Sequence, residues 1–169
     1  MNFFRYLLQI LNLLFFVSCA TNYKGPTPKF KGTKKERNVE YKKFKFDDRY
    51  WGQYRDAFVM GEEGSIYFTD SLKSVIEKVE PAMMISELKK ADYTHNTGLV
   101  LLGAAIAMLF IEGNPGDWSS GKKATYYSLL GASVASTSLS VHFMSRAASK
   151  YNRELKKKLS IGLATTYKY

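Results

Sequence analysis

Cysteine is almost absent from this chain: Cys19 is the only one among 169 residues. A lone cysteine closes no internal disulfide, so the fold is held without covalent staples and Cys19 is either a free thiol or a modified one. Histidine is nearly as scarce, with only His95 and His142. The serines, Ser136 among them, therefore lack a histidine base, and the glycines follow no phosphate-cradling pattern. No catalytic constellation stands out, and the chain reads as a non-enzyme. Acid is also in deficit: 15 Asp and Glu stand against 25 Lys and Arg, a net charge of +10. That imbalance points to an anionic partner.

The first residues indicate which one. Arg5 supplies a small positive region, and Leu7 to Val17 an apolar stretch of 11 residues broken only by Gln9 and Asn12. This is too short and too polar for a spanning helix and fits a signal peptide over residues 1–18. The run Phe16-Val17-Ser18-Cys19 resembles the lipobox of a bacterial lipoprotein, with Phe16 where that box usually carries Leu. The resemblance implies that the Cys19 sulfur is diacylated, that this covalent lipid is the only attached group, and that Cys19 begins the mature chain. Ala20 stands where enteric bacteria place the Asp that retains lipoproteins at the inner membrane. The resemblance therefore implies the cell envelope, periplasm-facing, with the outer membrane favoured. An uncleaved signal anchor, or ordinary cleavage near Ala20, is the alternative.

An exported chain does not meet nucleic acid, so its basic balance reads as attraction to lipid phosphates and other envelope polyanions, about 1 kcal/mol per Lys or Arg near an anionic surface. The cations flank the middle: Ala20 to Phe58 holds 11 Lys or Arg against 5 acids, and Ser145 to Tyr169 holds 7 against 1. Thr21 to Asn38 has two Pro, two Gly and six cations with almost no aliphatic residue. Such composition predicts a disordered, flexible tether over residues 19–40, spanning roughly 25 Å.

Residues 41–95 read as an aromatic and basic segment followed by amphipathic helices. Tyr41, Phe44 and Phe46 alternate with lysines, and Tyr50, Trp51, Tyr54 and Phe58 recur at helical spacing, which favours a short helix packed on the domain over a ligand platform. Gly61 to Gly64 is a loop and Ile66 to Phe68 a brief strand. Asp70 or Ser71 then caps a helix carrying Leu72, Val75, Ile76 and Val79 on one face. Pro81 restarts it, with Met84, Ile85, Leu88 and Ala91 on one face and Glu87, Lys89, Lys90 and Asp92 elsewhere.

Residues 96–144 govern the architecture. Thr97 to Ile111 is uncharged, Glu112 to Lys123 is a Gly-rich turn, and Ala124 to Met144 is a second uncharged run. This predicts a helical hairpin. Gly103 and Ala107 on the first helix, and Ser128, Ala132, Ser136 and Ser140 on the second, lie four apart and form smooth faces expected to meet. The first run gives only about 22 Å of helix, short of the roughly 30 Å hydrocarbon core. Both flanks are basic, which by the positive-inside rule would put them in the cytoplasm. An acylated Cys19 puts them in the periplasm. Entry of the hairpin from the periplasmic side, or packing in an oligomer, reconciles the two.

In residues 145–169 a basic helix end leads to Leu159, Ile161, Leu163, Thr165, Tyr167 and Tyr169, whose period-two pattern predicts a terminal strand. The order from Glu80-Pro81-Ala82 through Leu88-Lys89-Lys90-Ala91, the hairpin and Tyr151-Asn152-Arg153-Glu154-Leu155 resembles a loose set of uncharacterised exported bacterial proteins. That resemblance implies a membrane-associated envelope protein and brings no catalytic residue. His95, His142 and Asp92 fall at one end of the hairpin and could ligate zinc, although polar helix-end roles are favoured.

The sequence thus predicts a mainly α protein: signal peptide, disordered basic tether, amphipathic helices and an apolar hairpin, with one or two short strands. Its expected partners are membrane lipids, further copies of itself or envelope proteins. The function expected is that of a structural or accessory subunit of an envelope assembly. The alternative is a binding module that takes lipid or polyanion on its aromatic and basic face.

Overall fold

The computed structural model describes residues 21–47, 57–79 and 81–161. Within them the order is α1 (Lys34–Phe44), β1 (Phe46–Asp47), β2 (Ala57–Met60), β3 (Ser65–Phe68), a 3-10 turn (Thr69–Leu72), α2 (Lys73–Val79), α3 (Ala82–Glu112), a second 3-10 turn (Pro115–Asp117) and α4 (Ser120–Lys158). The chain is mainly helical with a few short strands, as expected; among the described residues these form one small sheet of three.

The sheet is antiparallel in the order β1-β2-β3, with Phe46 opposite Met60 and Phe58 opposite Tyr67. β2 is buried along its whole length. The β2–β3 turn depends on Gly61, whose φ is 78° and whose missing Cβ would stand 2.8 Å from the Lys43 carbonyl oxygen. Only glycine lets its N–H reach Lys45 O at 2.9 Å.

One core joins the sheet to the base of the hairpin. Phe44, Phe46, Phe58 and Met60 meet Leu72, Val75, Ile76 and Val79 from the third strand's continuation, and Met84, Ala147, Ala148, Tyr151, Leu155 and Leu159 from α3 and α4. Tyr151 stacks on Phe46 with ring centres 3.9 Å apart, and Phe46 stacks on Phe58 at 4.8 Å. Burial pushes the Tyr151 phenol above its usual range. The next residue, Asn152, accepts from Phe46 N at 2.8 Å and donates to Phe46 O at 2.6 Å. A helical side chain thereby substitutes for a neighbouring strand along the free edge of β1. The Tyr-Asn pair is the joint between hairpin and sheet.

Several expectations need correction. Residues 21–40 are not a tether where described. Thr21 bridges the outer edge of β3, with Thr21 N donating to Ile66 O at 3.0 Å and Phe68 N to Thr21 O at 3.1 Å. Tyr23 N donates to Ser71 Oγ, Lys29 N to Glu40 Oε2, and Pro28 is fully buried. The stretch has a single aliphatic residue, Val39, but Tyr23 and Phe30 supply apolar area against the core. Thr33 and Glu36 then form a capping box that starts α1, with Glu36 Oε2 accepting from Thr33 N at 2.6 Å.

Phe58 lies on β2, not on a helix, because strand pairing on both sides buries all of β2; Tyr50, Trp51 and Tyr54 lie outside the described residues. The terminal strand does not begin at Leu159. That residue ends α4, and Ser160 (φ 52°) turns the chain so that Ile161 N donates to Lys156 O and Ser160 N to Lys157 O, a Schellman stop. Residues 162–169, like residues 1–20 with Cys19, lie outside the described residues.

Replacing Asn152 by alanine strands both Phe46 backbone groups, and the expected cost is about 1–3 kcal/mol. It should appear as a lower urea midpoint at unchanged slope in the detergent-solubilised chain. An unshifted midpoint would mean that the clamp is dispensable.

Candidate membrane-inserting hairpin

α3 and α4 have 31 and 39 residues, about 46 and 58 Å of helix. Their pairing follows a seven-residue step. Met84, Ala91, Gly98 and Ala105 are buried along α3, and Ser133, Ser140 and Ala147 along α4. A strict seven-residue spacing keeps one narrow seam facing the partner helix. Ser133 Oγ donates to Gly98 O at 2.8 Å and Ser140 Oγ to Ala91 O at 2.9 Å, so each seven-residue advance on one helix matches a seven-residue retreat on the other. A Cβ on Gly98 would stand 3.0 Å from Thr137 Oγ1 and 3.2 Å from Ser133 O, which shows how near the backbones come.

This seam corrects the predicted one. Among the small residues at four-residue spacing, Ser140 is in the seam and Ser136 flanks it beside Gly98. Gly103, Ala107, Ser128 and Ala132 face outward and are exposed, and nothing lies within 4 Å of a Cβ built on Gly103. A four-residue step drifts off a seam that repeats every seven.

The uncharged zone is longer than the sequence run implied. α3 is one continuous helix, so the zone extends through Tyr93 to Ile111, 19 residues or about 28 Å; on α4 it covers residues 124–145, about 33 Å. Met83–Glu112 is long and apolar enough to cross a membrane, with a mean hydropathy of 1.6 and only 11% of its most apolar window covered by protein. Val100 is 73% exposed, Ile111 80% and Val134 67%. α4 is more polar in composition, but five of its hydroxyls are satisfied internally. Thr125 donates to Gly121 O, Thr137 to Ser133 O and Ser138 to Val134 O, while Ser133 and Ser140 bond across the seam. A hydroxyl bonded to the carbonyl one turn back presents little polarity outward.

Charge returns at both ends of this arm. At the tip, Glu112 pairs with Lys122, Lys123 Nζ donates to Gly116 O at 3.0 Å, and the buried Trp118 donates from Nε1 to Glu112 O at 2.9 Å. Trp118 and Tyr126 meet edge to face at 5.3 Å, with Tyr127 beyond. At the neck, where arm meets core, Glu87 is 1% exposed. Its Oε1 accepts from Lys150 and lies 3.4 Å from Lys90 Nζ, and its Oε2 faces Arg146 Nε at 3.6 Å. The hydrogen bond from Lys150 and the charges of Arg146, Lys150 and Lys90 hold the Glu87 carboxyl below its usual range against the opposing effect of desolvation. Helical periodicity put Glu87 off the apolar face. What it missed is that α4 crosses there with two cations.

The zinc candidates are not assembled. Among the described residues no group of three His, Cys, Asp or Glu side chains could hold a metal ion, so His95, His142 and Asp92 do not form one. His142 instead lies against Phe143. Of the described aromatic side chains of the basic segment, Phe44, Phe46 and Phe58 are turned inward as core residues. No family model, curated protein or solved structure matches this chain.

Gly98→Leu should overpack the seam and cost about 1–3 kcal/mol, whereas Gly103→Leu should stay within about 0.5 kcal/mol of the parent. Equal effects in urea unfolding would contradict the seven-residue seam. Because the Glu87 pKa is depressed in the folded state, its stabilisation is present above the unfolded value near 4.5 and is lost as pH falls through the folded value. The thermal midpoint of Glu87→Gln should therefore lie below that of the parent at pH 6 and approach it under acid. A constant gap between the two across this range would exclude the linkage.

Proposed function

We propose that this is a lipid-anchored cell-envelope protein whose α3–α4 arm inserts into a bilayer, with the sheet and α1 forming a basic head at the membrane surface, and that it serves as a structural or accessory subunit of an envelope assembly. The observation that carries this reading is the length of uncharged, outward-exposed surface on both helices, near the thickness of a hydrocarbon core and bounded by charge at neck and tip. An exposed apolar surface of this extent is not maintained in water without a partner. Aromatics at the two boundaries, Tyr93 at the neck and Trp118, Tyr126 and Tyr127 at the tip, suit the headgroup level.

The docked N-terminal segment strengthens the link to Cys19. Thr21 is bonded to β3, so a mature chain beginning at Cys19 has about 7 Å of extended backbone before the head. An acylated Cys19 would hold the head against the bilayer rather than at the end of a leash, on the same side as the neck. Lipid and arm would then be two independent attachments, the diacylated Cys19 holding the head and the arm adding its own buried apolar area.

Palmitate labelling should be lost, and globomycin-sensitive processing abolished, in Cys19→Ala. That variant should nevertheless remain in the membrane fraction after alkaline washing. Adding Val100→Lys and Val134→Lys, each costing about 2.5–3.5 kcal/mol at mid-bilayer, should release it. Release of Cys19→Ala alone would mean that the arm is covered by protein instead of lipid.

A further inference from the structure

A groove of about 670 Å³ opens at the neck, lined by Lys89, Lys90, Tyr93, Thr94 and Phe143 among others. Its chemistry changes along the arm. Ile85 and Ser86 line its head end, Lys89 and Lys90 follow one turn along α3, and Tyr93 with Phe143 form the walls that lead into the uncharged zone. Lys90 Nζ lies over the Phe143 ring, 5.7 Å from its centre, so the cationic and apolar halves of the groove meet there. Thr94 Oγ1 is turned back to its own helix, donating to Lys90 O at 2.8 Å, and leaves the aromatic half without a competing donor.

The neck has more positive charge than it neutralises. Glu87 alone faces Lys90, Lys150 and Arg146. Lys89 adds another cation and has no carboxylate partner among the described residues; Asp92 offsets one unit. Cations clustered above apolar walls fit an amphiphile whose head is anionic and whose tail is hydrocarbon. A free phosphate would use only half of such a groove.

We propose that this groove binds an anionic phospholipid, its phosphate held by Lys89 and Lys90 and the start of its acyl chain laid against Tyr93 and Phe143. The assignment rests on the inserted-arm reading and deepens it. The lipid would fix the depth of the neck, since its phosphate level is set by the bilayer and its ligands by α3. Lys89 is the better probe of the two lysines, because Glu87 keeps all its partners when Lys89 is changed.

The test uses the full chain reconstituted in phosphatidylcholine vesicles containing trace spin-labelled phosphatidylglycerol or phosphatidylcholine, with the motionally restricted fraction of each lipid as the readout. The parent should restrict phosphatidylglycerol roughly thirtyfold more strongly than phosphatidylcholine, the size expected for two cations near the headgroups. Lys89→Gln should reduce that preference to about fivefold, and Lys89→Gln with Lys90→Gln should abolish it at unchanged circular dichroism. Lys34→Gln with Lys35→Gln on α1, the same loss of charge away from the groove, should leave the preference intact.

Equal restriction of the two lipids by parent protein that stays in the vesicles would overturn this site while leaving insertion standing. An equal loss in the α1 variant would assign the preference to diffuse charge and likewise overturn it. Suppression by inorganic phosphate, relative to sodium chloride at matched ionic strength, would reduce the groove to an anion site. Protein that washes off the vesicles would remove insertion and lipid site together.

Discussion

Hydroxyl-to-carbonyl bonds across the hairpin, from Ser133 to Gly98 and from Ser140 to Ala91, require the α3 and α4 backbones to run closer than larger side chains would allow. The rest of the molecule hangs on that approach. The same register that pairs Ala91 with Ser140 brings Met84 to Ala147, and these two belong to the core beneath the sheet. A slip of one residue along the arm would therefore displace the aromatic stack of Tyr151 on Phe46 and the Asn152 clamp on β1. Arm and head are specified by one seam, and a polar residue that bonds a partner's carbonyl fixes register more narrowly than an apolar contact does.

The neck applies the same logic with charge. A carboxylate with 1% exposure is tolerated at Glu87 because Lys150 donates to it directly and two further cations lie within 4 Å. Two of its partners come from α4 and one from α3 itself, so the cluster ties the helices together where they begin to leave the core. The lysine stems also cover it from water, since long cationic side chains bury their methylenes while their ends stay wet. The neck is thus a polar lock between an aromatic core on one side and an apolar arm on the other.

How much of this was legible depends on the range of the signal. The hairpin was legible because absence of charge over two long runs needs no tertiary context, as was the apolar face Leu72, Val75, Ile76 and Val79 of the segment before it. The seam was misread: Gly103 and Ala107 look like a smooth face, yet which stripe turns inward depends on the partner, and the decisive donors are serines whose acceptors lie 35 and 49 residues away. Residues 21–40 looked unfoldable by aliphatic count, but backbone bonds to β3 and burial of Pro28 are invisible to composition. Tyr151-Asn152 was legible as a motif without its meaning, because its partner, Phe46, is 106 residues away.

The tip has a consequence for how such an arm could enter a bilayer from the head's side, since it is the part that must cross. Between Glu112 and Lys123 the charges are Glu112, Asp117, Lys122 and Lys123, two of each sign, and the Glu112–Lys122 pair is closed within the turn. A loop that is neutral in sum, internally paired and wrapped around a buried indole presents far less Born energy to hydrocarbon than four solvated ions. Were the arm to insert as proposed, the turn closed by the Glu112–Lys122 pair would act as a nose cone as well as a connector, and that pairing would lower the barrier to translocation.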